Sequence, residues 1–194
     1  MLTIPLKCDC ETVVGTASLK SSGAGNHVVC FCEDCQSFAR YFSGRHDILD
    51  EWGGTDIYQV APWNIEFHSG IDQLRCLRLT PKGLYRWYTG CCSTPVGNTV
   101  SARLPFIGLI HTIIDEGHQP GSLLGPVRGF HKLESALGNV PESVRKKGMP
   151  LSTLLRLFWR IFKWKVTAGN KPNPLFDNDG KCISKPTVLK TGAG

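Results

Sequence analysis

The cysteines constrain this chain more than anything else in it. Nine of its 194 residues are cysteine, and seven of the nine fall into three clusters, Cys8/Cys10, Cys30/Cys32/Cys35 and Cys91/Cys92. Cysteines two apart, as in Cys8-Asp-Cys10 and Cys30-Phe-Cys32, are poorly placed to bridge each other as disulfides. Both thiols of such a pair can still point at one ion. Zinc binds thiolates in a tetrahedral arrangement; four protein ligands close a structural site, and three leave a position for water or substrate. The expected cofactor is therefore zinc, and the seven candidate ligands are Cys8, Cys10, Cys30, Cys32, Cys35, Cys91 and Cys92.

Cys8/Cys10 and Cys91/Cys92 lie about eighty residues apart, so a metal shared between them would pin two distant parts of the chain together. The middle cluster offers three ligands within six residues. Spacing leaves two arrangements open for it: a three-thiolate site with a free position, or a site closed by a fourth ligand such as His27 or Cys91. Cys76 reads as a buried thiol, and Cys182 has no assigned role. His46, His68, His111, His118 and His131 show no metal-type spacing. Arg40, Arg45 and Asp47 follow the middle cluster, where they would line a pocket or sit in a solvated loop.

The first hundred residues read as an antiparallel β domain. Strands are expected over 11–19, Val28–Phe31, Thr55–Val60, Trp63–His68, Gln73–Thr80, Leu84–Thr89 and Val96–Val100. A short helix is expected after Cys35, over Gln36–Phe42, with Asp34 as N-cap and Gly44 just past its end. Phe106–Ile114 is apolar enough for a strand or a buried helix. Phe130–Leu137 reads as a short helix and Leu151–Val166 as a longer one. The division expected is a zinc-binding β domain over 1–115, a helical extension packed on it over 116–166, and an irregular tail over 167–194.

Net charge is +6. Seven basic residues and one acidic residue lie between Pro141 and Lys165, which accounts for the whole excess. The segment includes Leu151–Val166, whose Ser152, Arg156, Arg160 and Lys163 share one face while nearly all the rest is apolar. Three roles fit: packing on the β domain or on a second subunit, contact with a protein partner, or lying on an anionic membrane surface. No nucleic-acid motif is present. No run is apolar enough to span a bilayer, and no secretory signal is visible, so a cytoplasmic location is expected.

The residues Lys7-Cys-Asp-Cys10, Cys30-Phe-Cys-Glu-Asp-Cys35 and Cys92-Ser-Thr-Pro-Val96 together resemble the glutathione-dependent formaldehyde-activating enzyme family, which includes centromere protein V. The resemblance covers residues 1–100. It implies a mainly β fold, a β-tent of antiparallel sheets, with the C-terminal helices an addition outside the motif. It implies a structural zinc on Cys8, Cys10 and the late cysteines, and a catalytic-type zinc on Cys30, Cys32 and Cys35. It further implies carbon–sulfur lyase chemistry on a thiol–aldehyde adduct such as S-hydroxymethylglutathione, with a small thiol such as glutathione as partner. The chain departs from the family where a Cys-x-x-Cys-Gly-Thr element is usual: Thr89 takes the first cysteine's place, Cys91 directly precedes Cys92, and Ser93 replaces glycine. Neighbouring strand residues face opposite ways, so only one of Cys91 and Cys92 is expected at the metal unless the backbone bends. The alternative function is a non-catalytic, zinc-stabilised module that binds through its basic helix.

Overall fold

A computed structural model describes residues 1–42, 46–115, 123–168 and 172–189. Among these residues the chain is mostly β, with eleven strands in two sheets and three α-helices. The strands are β1 (Leu2–Lys7), β2 (Val14–Leu19), β3 (Asn26–Cys30), β4 (Thr55–Val60), β5 (Ile65–Ser69), β6 (Leu74–Arg78), β7 (Tyr85–Thr89), β8 (Pro95–Thr99), β9 (Ile107–Ile110), β10 (Gly129–His131) and β11 (Thr187–Val188). The helices are α1 (Glu33–Tyr41), α2 (Glu142–Lys147) and α3 (Leu151–Ala168).

The small sheet has the order β1-β2-β5, and the large one the order β10-β3-β4-β9-β8-β7-β6-β11. Strand side chains alternate between faces, and the two faces of the large sheet are covered differently. Tyr58, Val60, Trp87 and Leu109 pack with Ile4, Leu6, Ala17 and Leu19 of the small sheet in the main core. Ile110 and Leu77 join Phe38, Ala39 and Phe42 of α1 in a separate cluster. Val28 and Ile57 pack with Cys30 and Cys35, with Met149 beside them. The middle cysteines therefore lie outside the main core, among a small apolar group of their own.

Several local expectations needed correcting. Helix α1 starts at Glu33, with Cys32 and not Asp34 in the capping position. That places Cys35 in the first turn. The expected helix end at Gly44 lies outside the described residues. Phe130–Leu137 is not a helix: Gly129–His131 pairs in parallel with the edge of β3, and Lys132 then adopts φ +58, which breaks the run before a 3-10 turn at Leu133–Ser135. Pairing on an open sheet edge outweighed local helix propensity. Phe106–Ile114 divides into β9 and a 3-10 turn. Strand β1 and helix α2 were not anticipated, although Leu2, Ile4 and Leu6 alternate as a strand should.

The segment beyond residue 171 contributes to the body of the protein. Leu175 is fully buried, and Phe176 meets Tyr85 and Trp87 edge-on at 5.4 and 5.7 Å. Strand β11 extends the large sheet in parallel with β6. Truncating a buried Phe to Ala removes its transfer energy and leaves a cavity. We expect Phe176→Ala to destabilise the metal-loaded protein by about 3 kcal/mol, read by urea denaturation. A loss of less than about 1 kcal/mol would show that the tail is only laid on the surface.

Candidate metal centres

The first centre forms where two turns meet. Cys8 and Cys10 lie in the connection from β1 to β2, and Cys91 and Cys92 in the connection from β7 to β8. The Sγ atoms of Cys8 and Cys10 are 3.6 Å apart, those of Cys8 and Cys91 3.9 Å, and those of Cys91 and Cys92 3.8 Å. A tetrahedron with metal–sulfur bonds of about 2.3 Å has edges of about 3.8 Å. These spacings match that edge and are far longer than a disulfide bond of about 2 Å. All four sulfurs lie within 4.8 Å of one another, so the group could hold a metal ion.

Both late cysteines reach this centre because they do not lie on a strand. Strand β7 ends at Thr89 and β8 begins at Pro95, and Ser93 between them has φ +66. A left-handed backbone costs a non-glycine residue about 1 kcal/mol or more. The bend turns Cys91 and Cys92 to the same side. Thr89 keeps a part in the turn. Its amide donates to the Thr94 carbonyl at 2.9 Å, its hydroxyl accepts from the Thr94 amide at 3.0 Å, and it sits 3.3 Å from Cys92 Sγ. Cys91 thus supplies the fourth sulfur that Thr89 cannot.

Neighbours hold these thiols in place. The Val13 amide donates to Cys8 Sγ at 3.2 Å, and the Asp9 amide donates to Thr94 Oγ1 at 3.1 Å. The Asp9 carboxylate meets the buried His46 at 2.8 Å. Burial pushes the Cys8 thiol up to about 12. Burial also acts to raise Cys92, but hydrogen bonds from Thr89, Thr94 and the Cys10 amide hold it down at about 5. Before metal arrives, the group can therefore carry thiol and thiolate together.

The second centre is built by one strand end and one helix start. Cys30 closes β3, Cys32 caps α1, and Cys35 lies in its first turn. Their sulfurs also lie within 4.8 Å of one another. Hydrogen bonds from Cys30 and Cys35 hold the Cys32 thiol far below its ordinary range, helped by the Cys35 amide and by Arg86. The same bonding to Cys32 and Cys35, with burial, drives Cys30 the other way. The hydrogen bond from Cys30 lowers Cys35, yet Cys32 and burial still carry it up to about 11. The three sulfurs thus favour a thiolate stabilised by its thiol neighbours.

Sequence reasoning missed two residues here. Arg86, 1 % exposed on β7, reaches Cys35 Sγ at 3.9 Å, Asn98 Oδ1 at 3.3 Å and Asp34 at 3.4 Å. A divalent ion on three thiolates carries a net charge of −1, and a buried charge needs a partner; Arg86 offers it. The available signal was a lone charge inside the aromatic run Tyr85-Arg86-Trp87-Tyr88. The other residue is His131, which β10 places opposite Cys30. Only the parallel pairing reveals that adjacency.

A cavity of about 270 Å³ opens onto Cys30, Cys32 and Cys35. Val28, Ile57, Phe106, Met149, Leu154 and Leu157 supply apolar wall, and Asn98 and His131 are among its polar groups. Among the described residues, no Asp, Glu, Lys or Arg lines it. Arg40 and Asp47 are thus not pocket residues; Arg40 is exposed and donates to Ser37 Oγ at 3.0 Å. Arg45 lies outside the described residues. His27 is not a ligand: its ring nitrogens face the Gly125 carbonyl and Asp56 Oδ1, each at 2.7 Å, and it belongs to neither sulfur group. Cys76 is buried. Cys182 packs against the main core, and its thiol faces Cys76.

Ligand thiols must lose their protons to bind a metal. Mutual hydrogen bonding and burial hold thiols of this group in the protonated form, so occupation of the centre displaces protons. Affinity must then rise with pH. We expect the more weakly held equivalent of cobalt(II), followed by direct titration of its thiolate charge-transfer absorption, to gain at least about tenfold in affinity per pH unit between pH 6 and 8. A pH-independent affinity would contradict the assigned protonation.

Comparison with known proteins gives one family. A profile described as a family of unknown function, DUF6151, matches residues 1–186. Among solved structures, a crystal structure of a Rhodobacter sphaeroides protein aligns with a TM-score of 0.44 and 16% identity, over 63% of this chain and 96% of that one. No curated protein matches.

Proposed function

The chain belongs to the DUF6151 family, and we propose that its Cys30, Cys32 and Cys35 hold a zinc ion at which a thiol–aldehyde adduct is cleaved or formed, a carbon–sulfur lyase chemistry. The observation that carries this reading is the cavity that reaches all three sulfurs. A closed structural site would have its fourth corner filled by protein. Here three thiols converge without a fourth ligand in their group among the described residues, and a ligand-sized space opens onto them. The motif resemblance to the glutathione-dependent formaldehyde-activating family points to the same chemistry. The four-thiol centre, in contrast, has its full ligand set and serves as the structural one.

Bound zinc supplies a Lewis acid that favours the deprotonated form of a substrate sulfur. The chain supplies the rest. Arg86 balances the charge of the thiolates from the protein side, so the cavity can remain apolar. The walls from Val28, Ile57, Phe106 and Leu157 exclude water from the reacting carbon. His131 is the titratable group other than cysteine in the described lining. In the cleavage direction an imidazole nitrogen of His131 accepts the adduct's hydroxyl proton. The carbonyl double bond forms, the carbon–sulfur bond breaks, and its electron pair leaves with sulfur as a thiolate. Formation is the reverse, with His131 returning the proton to oxygen.

The lining also bears on the thiol. Glutathione carries two carboxylates, and the described cavity offers no cation to meet either. We therefore favour a thiol with an apolar substituent over glutathione. Exchange spectroscopy by nuclear magnetic resonance tests this with formaldehyde and either benzyl mercaptan or glutathione. The protein should accelerate adduct exchange for benzyl mercaptan, and Cys32→Ser should abolish the effect. Equal acceleration for glutathione would overturn the substrate preference, and no acceleration with either thiol would overturn the lyase reading.

A further inference from the structure

Helix α3 is anchored by polar contacts on its inward side, where Thr153, Arg156 and Arg160 lie among Leu154, Leu157, Ile161 and Trp164. Arg156 Nη2 donates to the Gly23 carbonyl at 2.6 Å, and Arg160 donates to the carbonyls of Gly23 and Ala24. Thr153 Oγ1 donates to the Arg128 carbonyl at 3.1 Å. Burial, with the nearby Arg156 and Arg128, pushes the Arg160 guanidinium down to about 10. These bonds fix the rotation of the helix about its axis. An amphipathic helix that only covered a core would leave a polar face to solvent; this one turns Leu154 and Leu157 to the cavity and presents a second apolar stripe to solvent.

The outward residues are Leu151, Leu155, Phe158, Trp159, Phe162 and Val166, each between 59% and 69% exposed. At 100° per residue they fill a continuous arc of about 100°. Trp159 and Phe162 stack at 5.8 Å within it. Six large apolar side chains in one exposed stripe exceed what a monomer's surface usually tolerates and mark a contact site.

The charges around the stripe identify what it contacts. On the same helical geometry Lys163 falls beside one edge of the arc and Lys165 beside the other. Both are exposed, as are Arg145, Lys146 and Lys147 just before the helix. Helix α3 contains no acidic residue. A second copy of the chain would bring the same positive charges against these, which disfavours self-association. An anionic lipid surface answers both features: acyl chains receive the stripe, and the flanking lysines reach up to the headgroups. No described helix is long and apolar enough to cross a membrane, which leaves a helix lying in the interface plane.

We propose that α3 docks the protein onto anionic membranes, with Leu151, Leu155, Phe158, Trp159, Phe162 and Val166 entering the acyl boundary and Lys163 and Lys165 pairing with headgroups. This surface is independent of the metal chemistry. Co-sedimentation of the full zinc-loaded chain with vesicles tests it, using phosphatidylcholine alone and phosphatidylcholine with phosphatidylserine. Binding should require phosphatidylserine, weaken as salt rises, and shift tryptophan emission to the blue. Lys163→Gln/Lys165→Gln should lower partitioning by about thirtyfold. Phe158→Ser/Phe162→Ser should abolish it, with circular dichroism and zinc content unchanged as proof of folding. Pelleting with neither vesicle would overturn the proposal. So would a dimer in sedimentation velocity that Phe158→Ser/Phe162→Ser dissolves.

Discussion

The convergence of Cys8, Cys10, Cys91 and Cys92 is the contact on which the rest of the structure depends. It ties the turn between β1 and β2, in the small sheet, to the turn between β7 and β8, in the large one. Residues on those strands face each other across the main core. A metal on the four thiols would fix that packing at one end, and its binding free energy would offset the entropy lost in closing a loop of about eighty residues. The Asp9 amide on Thr94 shows that the approach of the two turns is also held by an ordinary hydrogen bond, while His46, from the connection between α1 and β4, meets the Asp9 carboxylate.

The same strand that leads to this centre supports the other one. Strand β7 ends at the turn carrying Cys91 and Cys92, and three residues before Thr89 it places Arg86 against Cys35. The first centre braces the sheet, and the sheet positions the charge that the second centre needs. Helix α3 adds the remaining wall of the cavity through Leu154 and Leu157. The helix thus has two roles, since its inner side encloses the candidate reaction space while its outer side remains apolar and exposed.

Much of this was legible in the sequence because it rests on short-range pattern. Aromatic and branched residues between turn signals marked β4 and β7, and the spacing of Cys30, Cys32 and Cys35 marked a group that could hold a metal. What was not legible depends on how strands pair. His131 reaches the cavity only because β10 adds to the edge of β3, where a short helix looked as plausible locally. Cys91 and Cys92 share a centre only because Ser93 accepts a left-handed conformation, and a strand would have separated them. The exposed apolar stripe of α3 was hidden for a related reason. Its period gave two faces, but the carbonyls of Gly23 and Ala24 decided which one turns inward.

Metal content with sulfur coordination is the most direct test of two thiolate centres. Protein purified without chelator should carry two zinc ions per chain. X-ray absorption should show about three and a half sulfurs per zinc at about 2.3 Å, the average of a four-thiolate and a three-thiolate site. A chain without zinc, or with a first shell dominated by nitrogen and oxygen, would contradict the account.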